Sequence, residues 1–452
     1  MKDKETESRK IDQWVEKNRE AILLDIQKLV RIPSVKETLG DPDYPYGEGI
    51  HNALEYMLES GREMGLCAEN HEDRYGLISM TDRDSLESIG IFSHLDVVAP
   101  GDGWFFPPFS GERMNGFIIG RGSIDNKGPA VAVLYLMKYL MERKLPLRHN
   151  FFQYLGCDEE SGMSDIPYFL NQKRIPKLSV VPDLMFPVCY AEKGMLSFRL
   201  TKKIQSDRIS QITGGIALNV VPDRCSITLK DGQEYVVFGK SAHSAFPEHS
   251  ENAVGKLMSE VAGYDLWEDS DRETFRLIQK MAEDYTGAVF GIDTASGEFG
   301  DLTCVLCRIN FEEQKLMCDF NIRYPAVKEK EDLVQTLQRF SASAQWEITI
   351  LGESSASYFP KDHPAAEVFV RQYEQWTGFH SEPYVTGGGT YARKLPNAFA
   401  AGLGLPHFPE KARRYFAEGH GGAHQPDEML EIDSFIMGMK ILISSVVELD
   451  KI

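Results

Sequence analysis

No stretch of this 452-residue sequence is apolar enough for long enough to cross a bilayer. The segment Met1 to Lys10 is highly charged and has none of the apolar core of a secretory leader, so a cytoplasmic location is expected. Cysteine is scarce. Its seven copies, at 67, 157, 189, 225, 304, 307 and 318, are odd in number and scattered, which fits a reducing compartment better than a disulfide framework. The lone Cys304–Cys307 pair lies in an apolar stretch with no second pair at metal spacing, and reads as part of a strand. Positive charge is in deficit as well: 49 basic against 68 acidic side chains leave a net charge of −19. A surface that acidic repels phosphate backbones and anionic lipid, so neither nucleic acid nor membrane is an expected partner. The motifs H-E-x-x-H, G-x-S-x-G and G-x-x-x-x-G-K-[ST] are all missing, which leaves the chemistries they mark without support.

What is present is enough for substantial cores: 42% hydrophobic and 11% aromatic residues in a chain too long for one ordinary domain. An opening helix carries Ile11, Trp14, Val15, Ile22, Leu23, Ile26, Leu29 and Val30 on one stripe. From about 75 to 185, short apolar runs at 89–93, 151–155 and 178–181 alternate with a helix that begins near Pro129. That alternation predicts an α/β domain with a mixed central sheet flanked by helices. After about 189 strand-like segments dominate, at 195–201, 225–229 and 235–238, with a helix from Ala253. A Ser-rich linker is expected near 352–360, after which the α/β texture returns with helices at 365–377 and 432–449. The expected organisation is a catalytic domain in two segments, 1–188 and 361–452, interrupted by an inserted α+β lid domain at 189–360.

Candidate chemistry sits just past the strands. His94-Leu95-Asp96 follows the 89–93 run, and residues two apart in an extended segment face the same way. Asp96 is therefore placed to accept an imidazole N–H and orient His94 for a metal, although a core histidine is the commoner meaning of such a pair. Asp125 stands at the mouth of the 129–141 helix, where an acidic cap would suffice to explain it. Asp158, Glu159 and Glu160 are consecutive acids beyond an apolar strand, a costly place without a cation nearby. Two adjacent glutamates point different ways, so one can ligate while the other serves as a base. Asp183 follows the 178–181 strand, and His424 lies in a Gly-rich loop far along the chain. Each alone could be a turn residue. Together they make a set of imidazoles and carboxylates that suits zinc, manganese or cobalt at a pair of sites.

His94-Leu95-Asp96, the segment Gly120–Pro129, Asp158-Glu159-Glu160 and Pro182-Asp183 resemble the aminoacylase and carboxypeptidase G superfamily of co-catalytic metallopeptidases. The segments around Asn219, His243 and Arg323, with Gly387-Gly388-Gly389-Thr390 and His424-Gln425-Pro426-Asp427-Glu428, are similar to its bacterial dipeptidase V branch. The resemblance runs in order from about residue 25 to 440. It implies Asp125 as a bridging ligand, His94 and Asp183 completing one metal site, and Glu160 and His424 the other. It implies Glu159 as general base, Asp96 as the group orienting His94, and His243 as an oxyanion partner. Asn219, Arg323, Gly388, Gly389 and Thr390 would contact substrate. One departure is Asn126, where relatives often carry a second Asp; a change in hydrogen bonding around the ligands is expected there. The implied activity is hydrolysis of small unblocked dipeptides by a water activated between two divalent ions, zinc foremost, in a monomeric enzyme. An N-acyl amino acid deacylase or a carboxypeptidase of the same superfamily is the alternative.

Overall fold

A computed structural model of the chain describes residues 2–37, 44–80, 87–172, 175–406 and 419–452, with side chains from residue 7. It resolves into two compact units: residues 1–190, 359–384 and 390–452 form one, residues 191–358 and 385–389 the other.

The first unit is built on a mixed sheet. Cys67–His71 and Tyr75–Ser79 form an antiparallel hairpin, and Tyr75–Ser79 runs antiparallel to Asn150–Gly156. From there Asn150–Gly156, Ser88–His94, Leu178–Val181 and Ala398–Ala400 lie side by side and parallel. The central strands are apolar throughout, as expected where helices cover both faces of a sheet. Their register fixes the site. His94 pairs with Gly156, and Ile91 with Val180, so the carboxyl ends of three parallel strands finish almost level. Helix Lys127–Arg143 packs against Ser88–His94 and Asn150–Gly156 and is buried nearly all round, from Lys127 to Met137. Gln153 ties strand to helix by donating to the Ala130 carbonyl at 2.8 Å. On another part of the unit, Tyr75, Phe92, Phe152, Tyr154, Phe169 and Tyr391 share one aromatic cluster. A small separate sheet pairs Met429–Glu431 with Phe117–Ile119.

The second unit is a seven-stranded antiparallel sheet. Along Gly194–Lys203, Leu196, Phe198 and Leu200 enter a core shared with helices Ala253–Val261, Asp269–Glu283 and Lys330–Ala344, while Ser197 and Arg199 alternate onto the other face. That other face also carries Asp319, Asn321 and Arg323 at matching register. Buried Asp319 accepts from both Arg199 and Arg308.

The α/β class expected from the sequence is the one adopted. The expected linker at 352–360 is corrected: its first residues close the strand Glu347–Ser354, which pairs with Gly194–Lys203. Serines there favoured a linker, but alternate strand residues face solvent and tolerate small polar side chains. Cys304 and Cys307 are buried in strand Thr303–Glu312, and no disulfide joins any of the seven cysteines. Among the described residues no helix is long and apolar enough to cross a membrane.

Candidate active site

Three loops leave the level strand ends of the first unit, and each delivers an acid or imidazole. His94 ends its strand with a side chain 1% exposed. Its Nε2 lies 3.0 Å from Asp125 Oδ1 and 3.7 Å from Asp183 Oδ1. The other carboxylate oxygen of Asp125 is 3.2 Å from His424 Nε2, which in turn lies 3.1 Å from Glu160. The five groups thus form an unbroken series, Asp183, His94, Asp125, His424, Glu160, with Asp125 at its middle. Donor atoms of His94, Asp125 and Glu160 all lie within 4.8 Å of one another, as do those of His94, Glu159 and Asp183.

Asp125 is not the cap of the following helix. That position falls to Asn126, whose side chain makes no cap bond. The Asn126 amide donates instead to Asp183 and to the Pro182 carbonyl, and so holds the Asp183 side chain in place. Asp96 faces the His94 ring with two groups. His94 Nδ1 lies 2.9 Å from the backbone carbonyl of Asp96 and 3.4 Å from its carboxylate. That carboxylate takes the backbone N–H groups of Glu159 at 3.0 Å and Glu160 at 2.9 Å.

The electrostatics are those of a crowded acidic centre. Burial pushes the Glu159 carboxyl well above its usual range, with Asp183, Glu160 and Asp125 adding to the shift and His94 opposing it. Burial and then Asp125 push Asp183 up to about 7. Asp125 goes the other way: burial opposes ionisation, yet His424 and His94 hold it below the carboxylate range. Hydrogen bonds that its imidazole donates to the carboxylates of Asp125 and Glu160 raise His424 to about 10. Glu159 Oε1 is buried without a hydrogen-bond partner among the described residues. Four carboxylates and two imidazoles at these distances, one carboxylate oxygen orphaned, fit a divalent-cation site: oxygen and imidazole nitrogen are ligands suited to zinc, manganese or cobalt.

The second unit gathers its own candidates. Val220 and His243 form an antiparallel bridge, and Ser244 N–H donates to the Asn219 carbonyl at 2.8 Å, so Asn219 and His243 are neighbours. His243 Nδ1 accepts from Ala245 N–H at 3.1 Å. Arg323 donates through Nε to Asn321 Oδ1 and through Nη1 to the Gly387 carbonyl, both at 3.0 Å. Gly387 is in tight contact with Ala245: an added Cβ would stand 2.6 Å from the alanine methyl. Gly388 N–H donates to the Thr386 hydroxyl at 3.2 Å. Gly389 closes this unit's second segment. Thr390 belongs to the first unit, where its hydroxyl caps the short helix Tyr391–Lys394.

Sequence reasoning missed a buried pair, Arg121 and Glu428, which lie 2.7 Å apart beside Asp125. Each stands in a motif quoted for other residues, and an Arg and a Glu 307 positions apart give no sign that they meet.

An α/β unit whose strand ends gather histidines and carboxylates around one shared aspartate has the form of a hydrolase with a metal centre. The chain belongs to the peptidase family M20/M25/M40, which it matches over residues 90–448. It is 29% identical to "Putative dipeptidase YtjP" of Bacillus subtilis strain 168, over 96% of this chain and 98% of that protein. It is 26% identical to the Beta-Ala-Xaa dipeptidase of Lactobacillus delbrueckii subsp. lactis, over 96% and 97% of the two chains. Among solved structures, aminoacylhistidine dipeptidase from Vibrio alginolyticus has the same fold, with a TM-score of 0.61 at 14% identity over 95% of this chain and 96% of that one.

Proposed function

We propose that this peptidase is a metal-dependent dipeptidase that hydrolyses small unblocked dipeptides, with zinc, or manganese or cobalt, at two positions that share Asp125. The carrying observation is the series Asp183, His94, Asp125, His424, Glu160, with both oxygens of the central carboxylate facing an imidazole. His94 and Asp183 would complete one position, Glu160 and His424 the other. Divalent ions there supply Lewis acidity, which polarises a carbonyl and acidifies water. Glu159 is the group that moves the proton. Its buried, unpartnered Oε1 makes it a stronger base than a solvated glutamate, able to take a proton from water and hand it to the leaving amine. Asp96 fixes the backbone from which Glu159 projects.

The dipeptide class rests on the names of the relatives and on two features of the chain. Arg323 offers a guanidinium fork suited to a substrate carboxylate. His243 and Asn219 offer donors for a developing oxyanion, and Gly388, Gly389 and Thr390 stand beside the Arg323 partner Gly387 in sequence. The enzyme is proposed to act as a monomer in the cytoplasm, which light scattering of the active protein would check; activity that falls as a dimer dissociates would refute it.

The deciding experiment removes metal with a strong chelator, verifies its absence by elemental analysis, and assays a panel of dipeptides, N-acetyl amino acids and longer peptides before and after re-addition of zinc, manganese or cobalt. Dipeptide hydrolysis should vanish and return. Full activity without metal would refute the mechanism. N-acetyl amino acids cleaved as well as dipeptides would replace the dipeptidase with a deacylase.

A further inference from the structure

The segment that carries His424 reaches back to the Asp125 loop through one side chain. Glu428 is fully buried. Its Oε1 accepts the backbone N–H of Ile124 at 2.9 Å and of Asp125 itself at 3.1 Å. Its Oε2 accepts from Arg121 Nη1 at 2.7 Å. Its backbone carbonyl takes the Gly120 N–H at 2.8 Å and the Ser123 hydroxyl at 3.3 Å. Arg121, 1% exposed, also donates to the Gln425 carbonyl at 3.2 Å and lies over the Trp104 ring at 5.2 Å.

A buried ion pair is weak evidence for stability, because desolvating both charges offsets most of their attraction. The geometry accounts for this one in another way. Two hydrogen bonds from consecutive N–H groups fix the peptide from which the Asp125 side chain departs, and the bond from Arg121 keeps the accepting carboxylate aimed. Glu428 stands four residues after His424, and the next residues, Met429–Glu431, are locked in register with Phe117–Ile119. One carboxylate therefore sets the shared aspartate relative to the histidine particular to one position.

We propose that Glu428 is a positioning residue for the metal pair: it holds the Asp125 backbone against the His424 segment, so that affinity at both positions depends on it. This rests on the metal centre proposed above. The test is Glu428→Gln in the full chain. Glutamine has the same size but must turn an NH2 group toward either Arg121 or the two backbone N–H groups. Zinc affinity is measured by competition with a chromophoric chelator, stoichiometry by elemental analysis, and folding by circular dichroism and the Tm of metal-free protein.

Both zinc equivalents should bind at least about tenfold more weakly, the usual scale for groups that orient ligands, with an unchanged circular dichroism spectrum. The control is Asp450→Asn. Asp450 is a buried carboxylate that takes the backbone N–H groups of Arg148 and His149, and among the described residues it makes no hydrogen bond to a candidate ligand. It should lower the Tm and leave zinc affinity within about twofold. Wild-type affinity in Glu428→Gln, weakening at one position alone, or an equal loss in Asp450→Asn each overturns the proposal. If Glu428→Gln does not fold, Arg121→Lys, which keeps the charge but not the fork, must show the same paired weakening. Wild-type protein that binds no zinc, manganese or cobalt would overturn the metal centre itself, a result distinct from any of these.

Discussion

Asp96 Oδ1 lies 3.0 Å from the backbone nitrogen of Glu159, so the acid that follows one central strand holds the acid that follows its neighbour. Its second oxygen does the same for Glu160 at 2.9 Å. Asparagine at 96 would keep one acceptor and set an NH2 group against the other N–H. Asp96→Asn is expected to lower kcat or metal affinity by about 10- to 100-fold. Steady-state assays beside metal analysis check this; values within twofold of wild type would show that the carboxylate does not hold the loop.

Glu159 and Asp125 are separable by what they lose. Glu159→Ala should retain two metal equivalents while kcat falls by about a hundredfold or more, as for a lost general base. Asp125→Ala should lose metal, since two imidazoles face that one carboxylate. Elemental analysis of both variants with kcat decides. Metal lost from the first and kept by the second would reverse the roles.

Arg323 is proposed to meet the free carboxylate of the substrate. Arg323→Ala should reduce kcat/KM for dipeptides by about 2–3 kcal/mol in activation free energy, the scale of a hydrogen bond to a charged group. Dipeptide amides should be little affected by the same change. Equal losses for both substrates would assign Arg323 to the packing around Asn321 and Gly387 instead.

Much of this arrangement is legible in the sequence, because burial and periodicity carry it. The apolar runs at 89–93, 151–155 and 178–181 appear as Ser88–His94, Asn150–Gly156 and Leu178–Val181. Acids placed directly after such runs signal strand-end chemistry, and the structure brings His94, Asp125, Glu160, Asp183 and His424 together. What the sequence conceals is which atom faces which. Asp96 at i+2 from His94 has the right spacing to face the ring, and its carboxylate lies 3.4 Å from Nδ1, but nothing in the spacing shows that it also accepts two N–H groups more than sixty positions away. Asn126 in place of a carboxylate suggests altered hydrogen bonding, but not that its amide would reach Asp183. Such partners are set by strand register across the sheet, which no local pattern encodes.

Asp165 offers a pH-dependent test behind the loop that carries Glu159, where it accepts the Cys157 N–H at 3.0 Å. Burial pushes its carboxyl up to about 6, against a hydrogen bond from the Tyr391 hydroxyl that lowers it. An unfolded Asp titrates near about 3.9, so the folded state holds this proton more tightly. The stabilisation from that proton is complete below about 3.9 and is lost as the pH rises through about 6. Tyr391→Phe removes a donor to the ionised form and should raise the folded value further. Its stability deficit is therefore expected to grow with pH, from small at pH 5 to about 1.5–3 kcal/mol at pH 8. Urea denaturation of metal-free wild type and variant at both pH values measures it. A deficit that is flat with pH would remove Asp165 from the account.

Glu428 and Asp125 are 303 positions apart, and the whole second unit is synthesised between them. At about 5–20 residues per second, a ribosome needs roughly 15 to 60 s to travel that distance. By the end of that interval the emerging polypeptide has His94, Asp125, Glu159, Glu160 and Asp183, but until then neither His424 nor the carboxylate that seats the Asp125 loop. A chain still being made therefore lacks both the second imidazole that faces Asp125 and the carboxylate that accepts its backbone N–H until nearly the whole length has emerged.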